Sequence, residues 1–468
     1  MQFTREIQRI VIMALIALGL VALTSTYWVL TGERVLNRDD NPRLVEATAR
    51  IMRGGIYDRD GVLLVETNPS PTSGRAIRTY HHPAMHSVLG YYSMRYGEGG
   101  AEAAFNERLQ GEREPSNLWR WFERYVMHQP QTGDDIRLTL DLAIQQAAHD
   151  ALDGRRGALV VVSVPDGAIK ALVSLPTFDP NELDARWGEL TQDAGEPFFN
   201  RALQGAYQPG ATMYSLLVLS ALVNQFPAEI AFDSATRPIE VGDVRLTCTE
   251  QPPADILTIF DALTFGCPAP FADFAEQIGY DAIHNTLRLI RPDLPPTLSG
   301  FITESASPER VPSVIGLKEA LGQGDFRTTP LEMALVMASF INNGNAPAPV
   351  TLQAARPAYS DDWVTLRTVQ PSLPITTPEN ARRIAALLRQ NVVRGTAQEA
   401  FHADFDIGGQ SALSYAGAGV HTWFVGFLRE EARRGYAIAL ILEDTQDLAL
   451  AATIGGEVLR AAATARAD

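Results

Sequence analysis

Serine-based acyl transfer needs a hydroxyl nucleophile with a base one helical turn away, so the lysines show where such a site could lie. A serine hydroxyl is a weak nucleophile until a base takes its proton, and in the Ser-x-x-Lys pattern the lysine serves as that base. The 468-residue chain has only two lysines, Lys170 and Lys318. Gly167 and Ile315 stand three residues before them, and neither lysine is followed by Thr-Gly. The sequence therefore excludes both a Ser-x-x-Lys nucleophile and a Lys-Thr-Gly strand motif.

Several other groups could do chemistry, but each has a simpler interpretation. His421 precedes an apolar strand pattern, where a single histidine is most often structural. Asp134-Asp135 and Asp361-Asp362 are paired acids in predicted loops, where solvated charge is the simpler interpretation. The Gly322-Gln-Gly324 turn lacks the Gly-Lys-Ser/Thr that a phosphate-binding loop requires. Two cysteines cannot form a metal cluster, and we expect no metal and no cofactor.

Composition and charge limit the remaining function classes. Hydrophobic residues make up 46% and charged residues 20% of the chain, as in folded globular proteins. The net charge of -16 argues against a nucleic-acid partner, because phosphate binding needs clustered lysine and arginine. A chain of 468 residues is also too long for one ordinary core, so two or more domains are expected.

An uncharged apolar run covers Ile10 to Leu30, and its length of about 31 Å as a helix matches one bilayer core. Tyr27 and Trp28 stand near its end, where interfacial aromatic residues belong. The alternative is a cleaved signal peptide, whose apolar core is usually only about 7–15 residues long. We predict an uncleaved membrane anchor, although arginines on both sides leave its orientation undecided.

The order of predicted elements is typical of an α+β fold. A strand pair over 158–164 and 168–175 precedes a run of helices, and a second strand pair covers 422–428 and 436–442. Asp60-Gly61 predicts a hairpin turn. Helices are predicted from the cap Asp141 to Leu152, and near 211–224, 258–279, 329–342 and 378–393.

Many short motifs, in one order along nearly the whole chain, resemble class B penicillin-binding proteins. The resemblance implies a transpeptidase-like domain, with an antiparallel sheet flanked by helices, behind an N-terminal pedestal domain and one transmembrane helix. It divides the chain into a cytoplasmic tail (1–9), an anchor (10–30), a pedestal (31–133) and a penicillin-binding domain (134–468), with the bulk outside the cytoplasm at the plasma membrane. The motifs are Arg53-Gly-x-Ile-x-Asp-Arg-x-Gly61, Leu138-Thr-Leu-Asp141, Asn200-Arg-Ala-Leu-Gln-Gly205, Tyr207-Gln-Pro-Gly210, Thr329-Pro-Leu331, Gly395-Thr-Ala397 and Trp423-Phe-Val-Gly-Phe427.

The resemblance also assigns positions to the three motifs of the family's acyl-transfer chemistry, and each motif is altered. Ala211 stands where the nucleophilic serine should be, and Tyr214 stands where its lysine should be. The second motif, Ser-x-Asn, corresponds to Gly266 and Pro268 around Cys267. The third, Lys-Thr-Gly, corresponds to Gln410, Ser411 and Ala412, of which only the Ser411 hydroxyl keeps a related polar group.

We therefore interpret the chain as a catalytically inactive pseudo-transpeptidase that takes part in peptidoglycan synthesis, at division or elongation, as a scaffold or regulator. Its expected partners are a membrane glycosyltransferase or other cell-wall synthesis proteins. The first alternative is an active D,D-transpeptidase with unconventional residues, although the Tyr214 hydroxyl, with an ordinary pKa of about 10, would be a poor base. The second is a sensor that binds peptidoglycan stem peptides or β-lactams without turnover, because Ala211 keeps a backbone N–H of the oxyanion-hole type.

Cys248 and Cys267 are the only cysteines, and the resemblance places both outside the cytoplasm. Oxidising compartments favour pairing, so we predict a disulfide between them. The alternative is two separate buried thiols.

Overall fold

The N-terminal residues form one long helix in the computed structural model of the protein, α1 (Gln2–Leu36). Within it, Ile7–Trp28 is long and apolar enough to cross a membrane, with a mean hydropathy of 2.2. This stretch overlaps the predicted anchor, and it is consistent with a single membrane span. The structure describes residues 2–36, 45–46, 48–112, 122, 127, 131–227, 229–290, 298–303, 311–366, 371–416, 419–431 and 434–465.

The chain divides into two compact units. The first contains Met1–Met52, Thr67–Ile77 and Glu114–Thr132, and the second contains Arg53–Glu66, Arg78–Arg113 and Gly133–Asp468. All the positions that the motifs assign to chemistry lie in the second unit. The domain limits predicted from the sequence stay predictions.

The strands follow one another in this order: β1 (Ile56–Tyr57), β2 (Leu63–Pro69), β3 (Ala76–Tyr80), β4 (Tyr91–Ser93), β5 (Gly97–Gly99), β6 (Asp135–Leu138), β7 (Gly157–Val164), β8 (Ile169–Leu175), β9 (Ala231–Phe232), β10 (Ile239–Val241), β11 (Val244–Leu246), β12 (Leu257–Thr258), β13 (Asn345–Ala346), β14 (Leu352–Arg356), β15 (Val364–Thr365), β16 (Leu373–Pro374), β17 (Asp406–Ala416), β18 (Gly419–Glu431) and β19 (Arg434–Leu442). The central sheet has the order β17-β18-β19-β7-β8 and is antiparallel throughout. A smaller sheet has the order β15-β14-β6-β1-β2-β3.

Helices cover both faces of the central sheet, so its strands are apolar on both sides. All eight residues of β7 are buried. The helices after α1 are α2 (His86–Leu89), α3 (Gly100–Ala104), α4 (Asn106–Leu109), α5 (Leu142–Leu152), α6 (Leu183–Leu190), α7 (Arg201–Gln204), α8 (Met213–Val223), α9 (Ile259–Phe265), α10 (Pro268–Ile278), α11 (Tyr280–Leu289), α12 (Leu317–Ala320), α13 (Pro330–Ile341), α14 (Pro378–Arg394) and α15 (Leu448–Thr464).

The two faces of the sheet pack into separate hydrophobic clusters. α5 and α15 share one cluster with Phe424, Ile438 and Leu440. α8 and α13 share the other with Trp423 and Val425 on the opposite face. This arrangement confirms the predicted α+β fold with an antiparallel sheet between helices.

The helix predicted over 258–279 is wrong, because the structure has two helices there. α9 ends at Gly266, which adopts a left-handed conformation with φ of 62°. Pro268 then occupies the first turn of α10, where its missing N–H breaks no helical bond. The apolar pattern runs through both helices, so hydrophobic periodicity could not show the break.

Candidate functional site

The first motif position lies on a short turn that leads into α8. Gly210–Thr212 forms a 3₁₀ turn, and Met213 begins the helix. Gly210 has φ of 58°, and a Cβ there would lie 2.1 Å from the Leu413 carbonyl oxygen of β17. Only glycine allows this close approach, so the turn is held against the edge of the sheet. Ala211, at the position that the resemblance assigns to the nucleophile, has a methyl group as its whole side chain.

Ser215 lies close to the position that the resemblance assigns to the nucleophile, but its hydroxyl serves the structure of the helix. Ser215 is fully buried, and its hydroxyl donates to the Thr212 carbonyl at 2.9 Å. Because this bond joins the side chain to the backbone at the start of the helix, the hydroxyl has a structural role.

Tyr214, at the position that the resemblance assigns to the lysine of the first motif, belongs to the hydrophobic core. Its side chain is only 2% exposed, and its ring stacks on that of Phe271, with centroids 4.2 Å apart and planes inclined by 11°. Burial raises the pKa of the Tyr214 hydroxyl well above its ordinary value, and the nearby Tyr415 raises the pKa further. A neutral phenol in this place is no general base at neutral pH.

The second motif position is closed by a side chain from a distant segment. A Cβ added to Gly266 would lie 2.5 Å from the Thr249 hydroxyl oxygen and 3.1 Å from a Thr396 methyl carbon. The Thr249 backbone N–H also donates to the Phe265 and Gly266 carbonyls. Thr249 therefore occupies the space next to Gly266 where a serine side chain at this position would lie.

A disulfide fixes this arrangement, since the structure joins Cys248 to Cys267. Cys267 is fully buried at the start of α10, between the two altered motif residues Gly266 and Pro268. The two cysteines that the bridge joins are 19 residues apart in the sequence. It thus ties the segment that fills the second motif position to the motif itself.

The variant Cys267→Ala is expected to lower the free energy of unfolding by about 3 kcal/mol, because it frees the loop in the unfolded chain. Urea unfolding of the full chain in detergent micelles, with and without a reductant, measures this difference. Wild-type protein under reducing conditions should lose a similar amount. An oxidised chain that is no more stable than the variant would contradict this expectation.

The third motif position lies on β17, one of the two edge strands of the central sheet. Gln410, at the position that the resemblance assigns to the motif's lysine, is 1% exposed, and its Nε2 donates to the Ala211 carbonyl at 2.6 Å. The neutral amide thus joins the first and third motif positions directly. Ser411 pairs with Phe424 across the sheet, and its buried hydroxyl has no hydrogen-bond partner among the described residues.

The exposed edge of β17 is occupied by a side chain from the Gly322-Gln-Gly324 turn. The Gln323 side chain donates to the Leu413 carbonyl at 3.3 Å and accepts from the Tyr415 N–H at 3.0 Å. This amide makes the two bonds that a neighbouring strand would make at this point. The turn is therefore part of the closure of the site, and nothing in the sequence pattern indicated this role.

The other residues considered from the sequence make contacts that do not involve the three motif positions. His421 Nδ1 accepts from the Asp444 N–H at 3.2 Å, and its ring packs on Tyr207. Asp135 forms an ion pair with Arg356. Asp134 accepts from the Ala358 N–H. Asp361 and Asp362 are exposed. Among the described residues, no group of three or more His, Cys, Asp or Glu side chains could hold a metal ion.

Three sequence and structure comparisons agree with this architecture. The "Penicillin binding protein transpeptidase domain" profile matches residues 157–462, and the "Penicillin binding protein A dimerisation domain" profile matches residues 53–136. The chain is 27% identical to the peptidoglycan D,D-transpeptidase PbpA of Mycolicibacterium smegmatis over 97% of both chains. It is 28% identical to the peptidoglycan D,D-transpeptidase MrdA of Acinetobacter baumannii over 70% of this chain and 53% of that protein. The imipenem acyl-enzyme structure of penicillin-binding protein A from M. tuberculosis is similar, with a TM-score of 0.79, 25% identity, and coverage of 90% of this chain and 100% of that one.

Proposed function

Because the chain belongs to the penicillin-binding protein transpeptidase family, we propose that it is a catalytically inactive member that serves peptidoglycan synthesis as a scaffold or regulator. The observation that carries the proposal is the pair of residues at the first motif position. Ala211 supplies no nucleophile, and Tyr214 is stacked in the core where a lysine would act as the base. A general base typically accelerates a reaction about 10²–10⁴-fold, and without a nucleophile no covalent acyl-enzyme can form.

The state of the other two motif positions supports the same proposal. Thr249 stands beside Gly266, where the second motif has its serine, and Gln410 offers a neutral amide where the third has a lysine. The chain's own lysines have other neighbours: Lys170 lies near the charged groups of Arg59 and Asp141, and the Lys318 side chain lies beside Gly242. The first and third positions also contact each other directly through the bond between Gln410 and Ala211.

The proposed location is the plasma membrane, with α1 as a single anchor, residues 1–9 in the cytoplasm and the bulk of the protein outside. The apolar stretch Ile7–Trp28 supports the anchor, and the oxidised Cys248–Cys267 pair supports the outward orientation, because disulfides persist in oxidising compartments. The proposed partners are a membrane glycosyltransferase or other cell-wall synthesis proteins, contacted through the anchor and the residues up to 133.

Two other functions would use the same fold. The names of the relatives favour an active D,D-transpeptidase, which would form a covalent adduct with a β-lactam. A sensor would bind stem peptides or β-lactams reversibly, and calorimetry with a stem peptide separates it from a scaffold.

A complementation assay in the native organism tests the scaffold function. Exchange of Ile10–Leu30 for an unrelated apolar span should impair growth or division, whereas Tyr214→Phe should be silent. The phenylalanine variant removes the only polar group of Tyr214 and keeps its stacking on Phe271, so it tests chemistry at this position without opening a cavity.

Immunoblots of membrane fractions must show equal amounts of the two variants. If the anchor exchange is silent and Tyr214→Phe loses function, the function of the protein depends on the residues at the first motif position. The sensor function would then replace the scaffold function.

A further inference from the structure

A cavity of about 260 Å³ in the second unit lies where the hairpin turn between β7 and β8 meets the start of β19. Among the described residues that line it, three are basic and one is acidic. The basic residues are Arg59, Lys170 and Arg434, and the acidic residue is Asp166. The chain as a whole has 55 acidic and 39 basic residues, so the cavity differs in sign from the protein around it. Its charge therefore favours an anionic ligand.

Hydrogen bonds and strand pairing hold the basic residues around the cavity. The Arg59 guanidinium donates to the Asp141 carboxylate at 3.2 Å, and the Asp141 N–H donates to the Lys170 carbonyl at 3.0 Å. On the other side, Gly435 pairs with the last residue of β7, which places the preceding Arg434 at the end of the hairpin. The fold itself therefore assembles the three positive charges, without the help of a ligand.

Lys170 occupies a β-bulge, an irregularity that redirects a side chain. Val161 pairs with Ala171 and Val162 pairs with Ile169, so Lys170 is the extra residue of β8. It is half-buried, whereas the other residues of this strand are buried. In the part of the chain that the structure describes, its ammonium has no hydrogen bond and no ion pair. The nitrogen is also not sealed from solvent, so a ligand can reach it.

The other charged groups of the lining are only partly used by the protein. Arg59 places Nη1 at 3.2 Å from the Asp141 carboxylate and Nε at 3.6 Å from the Asp60 carboxylate, which leaves Nη2 for a ligand. One oxygen of Asp166 accepts from the Ser163 hydroxyl and from the N–H of residue 168, so it serves the hairpin turn. The donors that remain for an anion are therefore those of the basic residues.

The surroundings of Lys170 increase what an anion would contribute. Burial lowers the pKa of its ammonium, and the nearby Arg59 lowers the pKa further, whereas Asp166 acts in the opposite direction. A bound anion would stabilise this poorly compensated charge. The lining has an excess of two positive charges, and guanidinium and ammonium donors suit the oxygens of a phosphate.

We propose that this cavity binds the dianionic phosphate group of a phosphate monoester, held by Lys170, Arg59 and Arg434. A cavity needs only about 10–15 Å³ to hold a water molecule. The volume of about 260 Å³ therefore has room for a phosphate and part of the group that it esterifies. The proposal is independent of the scaffold function, because none of the three altered motif positions lines the cavity.

Isothermal titration calorimetry on the full chain in phosphatidylcholine nanodiscs tests the proposal with methyl phosphate and dimethyl phosphate at constant ionic strength. The second pKa of a phosphate monoester is about 6, so methyl phosphate is a dianion at about pH 7.5, whereas dimethyl phosphate is a monoanion of similar shape. Methyl phosphate should bind with a Kd of about 0.1–1 mM, as expected for so few atoms. Dimethyl phosphate should bind about tenfold more weakly.

Two variants and a matched control locate the binding. Lys170→Met removes the ammonium but keeps an unbranched side chain, so it should weaken methyl phosphate binding about tenfold. Arg434→Gln should weaken it about threefold, because the Arg434 side chain is 56% exposed. Lys318→Met removes the only other lysine of the chain, which lies beside Gly242, and should change nothing.

Nanodiscs of two further compositions distinguish a lipid headgroup from a soluble ester. Phosphatidic acid carries a phosphate monoester, and phosphatidylglycerol is an anionic diester that controls for the charge of the surface. Weaker methyl phosphate binding with phosphatidic acid than with phosphatidylglycerol would identify a lipid as the ligand. Equal binding would identify a soluble ester, and either result agrees with the proposed site.

The comparison of the two phosphates on the unchanged chain decides the proposal without any variant. Equal affinity for methyl and dimethyl phosphate, or no methyl phosphate binding up to about 10 mM, would overturn it. Equal effects of Lys170→Met and Lys318→Met would overturn it as well.

Discussion

Replacement of Glu102 by alanine is expected to lower the free energy of unfolding by about 3–5 kcal/mol. The Glu102 carboxylate is fully buried and receives bonds from the Arg53 and Arg78 guanidiniums, each at 2.7 Å. The side chains of both arginines are almost fully buried, with 2% and 5% exposed. Loss of the carboxylate leaves two buried positive charges without their shared partner, which is the most costly kind of change in such a cluster.

Urea unfolding of the full chain in detergent micelles measures this effect. Glu107→Ala is the matched control, because Glu107 is an exposed glutamate of the neighbouring helix α4, and a surface change should stay within about 0.5 kcal/mol. Equal stability of the two variants would show that the cluster contributes nothing.

The same cluster predicts how stability depends on pH. Burial alone would raise the pKa of Glu102, but the two guanidiniums outweigh it, so the pKa lies below its ordinary value. A carboxyl with a depressed folded-state pKa stabilises the fold fully above its unfolded-state pKa of about 4.3, and this contribution is lost as the pH falls through the folded-state value. The stability difference between wild type and Glu102→Gln should therefore shrink in acid. A difference that is constant from neutral pH into strong acid would contradict the sign of the shift.

The double variant Ala211→Ser, Tyr214→Lys should not regain β-lactam acylation at the rate of an intact relative, although it restores the Ser-x-x-Lys pattern. We expect a rate at least about 10²-fold lower, because two further motifs stay altered. Gly266 has no side chain, Thr249 fills the adjacent space, and Gln410 is uncharged. A lysine at position 214 would also be buried against Phe271, which lowers the pKa of its ammonium and destabilises the fold.

Stopped-flow acylation with a fluorescent penicillin measures this rate, with the PbpA relative from M. smegmatis as the reference enzyme. Far-ultraviolet circular dichroism on the same samples must show that the double variant is folded. A folded variant with a rate near that of the reference enzyme would show that the second and third motifs matter less than proposed.

The sequence predicted the central sheet and most of its helices because those elements repeat a local pattern. The apolar strands at 158–164, 422–428 and 436–442 and the helix cap at Asp141 are properties of short segments, and the structure confirms them. The α+β fold and the family resemblance are confirmed as well.

The details of the site depend on contacts between distant residues, which no local pattern reveals. The space beside Gly266 is filled by Thr249, and the closure of β17 follows from Gln323, about 90 residues away from the strand. The order of the motifs along the chain assigned positions to Ala211, Tyr214 and Gln410. Only the structure shows that Tyr214 stacks on Phe271 and that Gln410 bonds to Ala211. The sequence did not predict helix α15, because alanine and glycine make up eight of its 17 residues and weaken its apolar pattern.

Labelling of the unmodified full-length protein with a fluorescent penicillin tests the central claim most directly. Membranes that contain the protein are incubated with the probe, denatured and resolved by electrophoresis, with membranes that contain PbpA of M. smegmatis as the positive control. The absence of a serine at position 211 and of a lysine at position 214 predicts no fluorescent band at the protein's size. A covalent band that survives denaturation and disappears after pretreatment with unlabelled penicillin would contradict the account and assign the protein to the active transpeptidases.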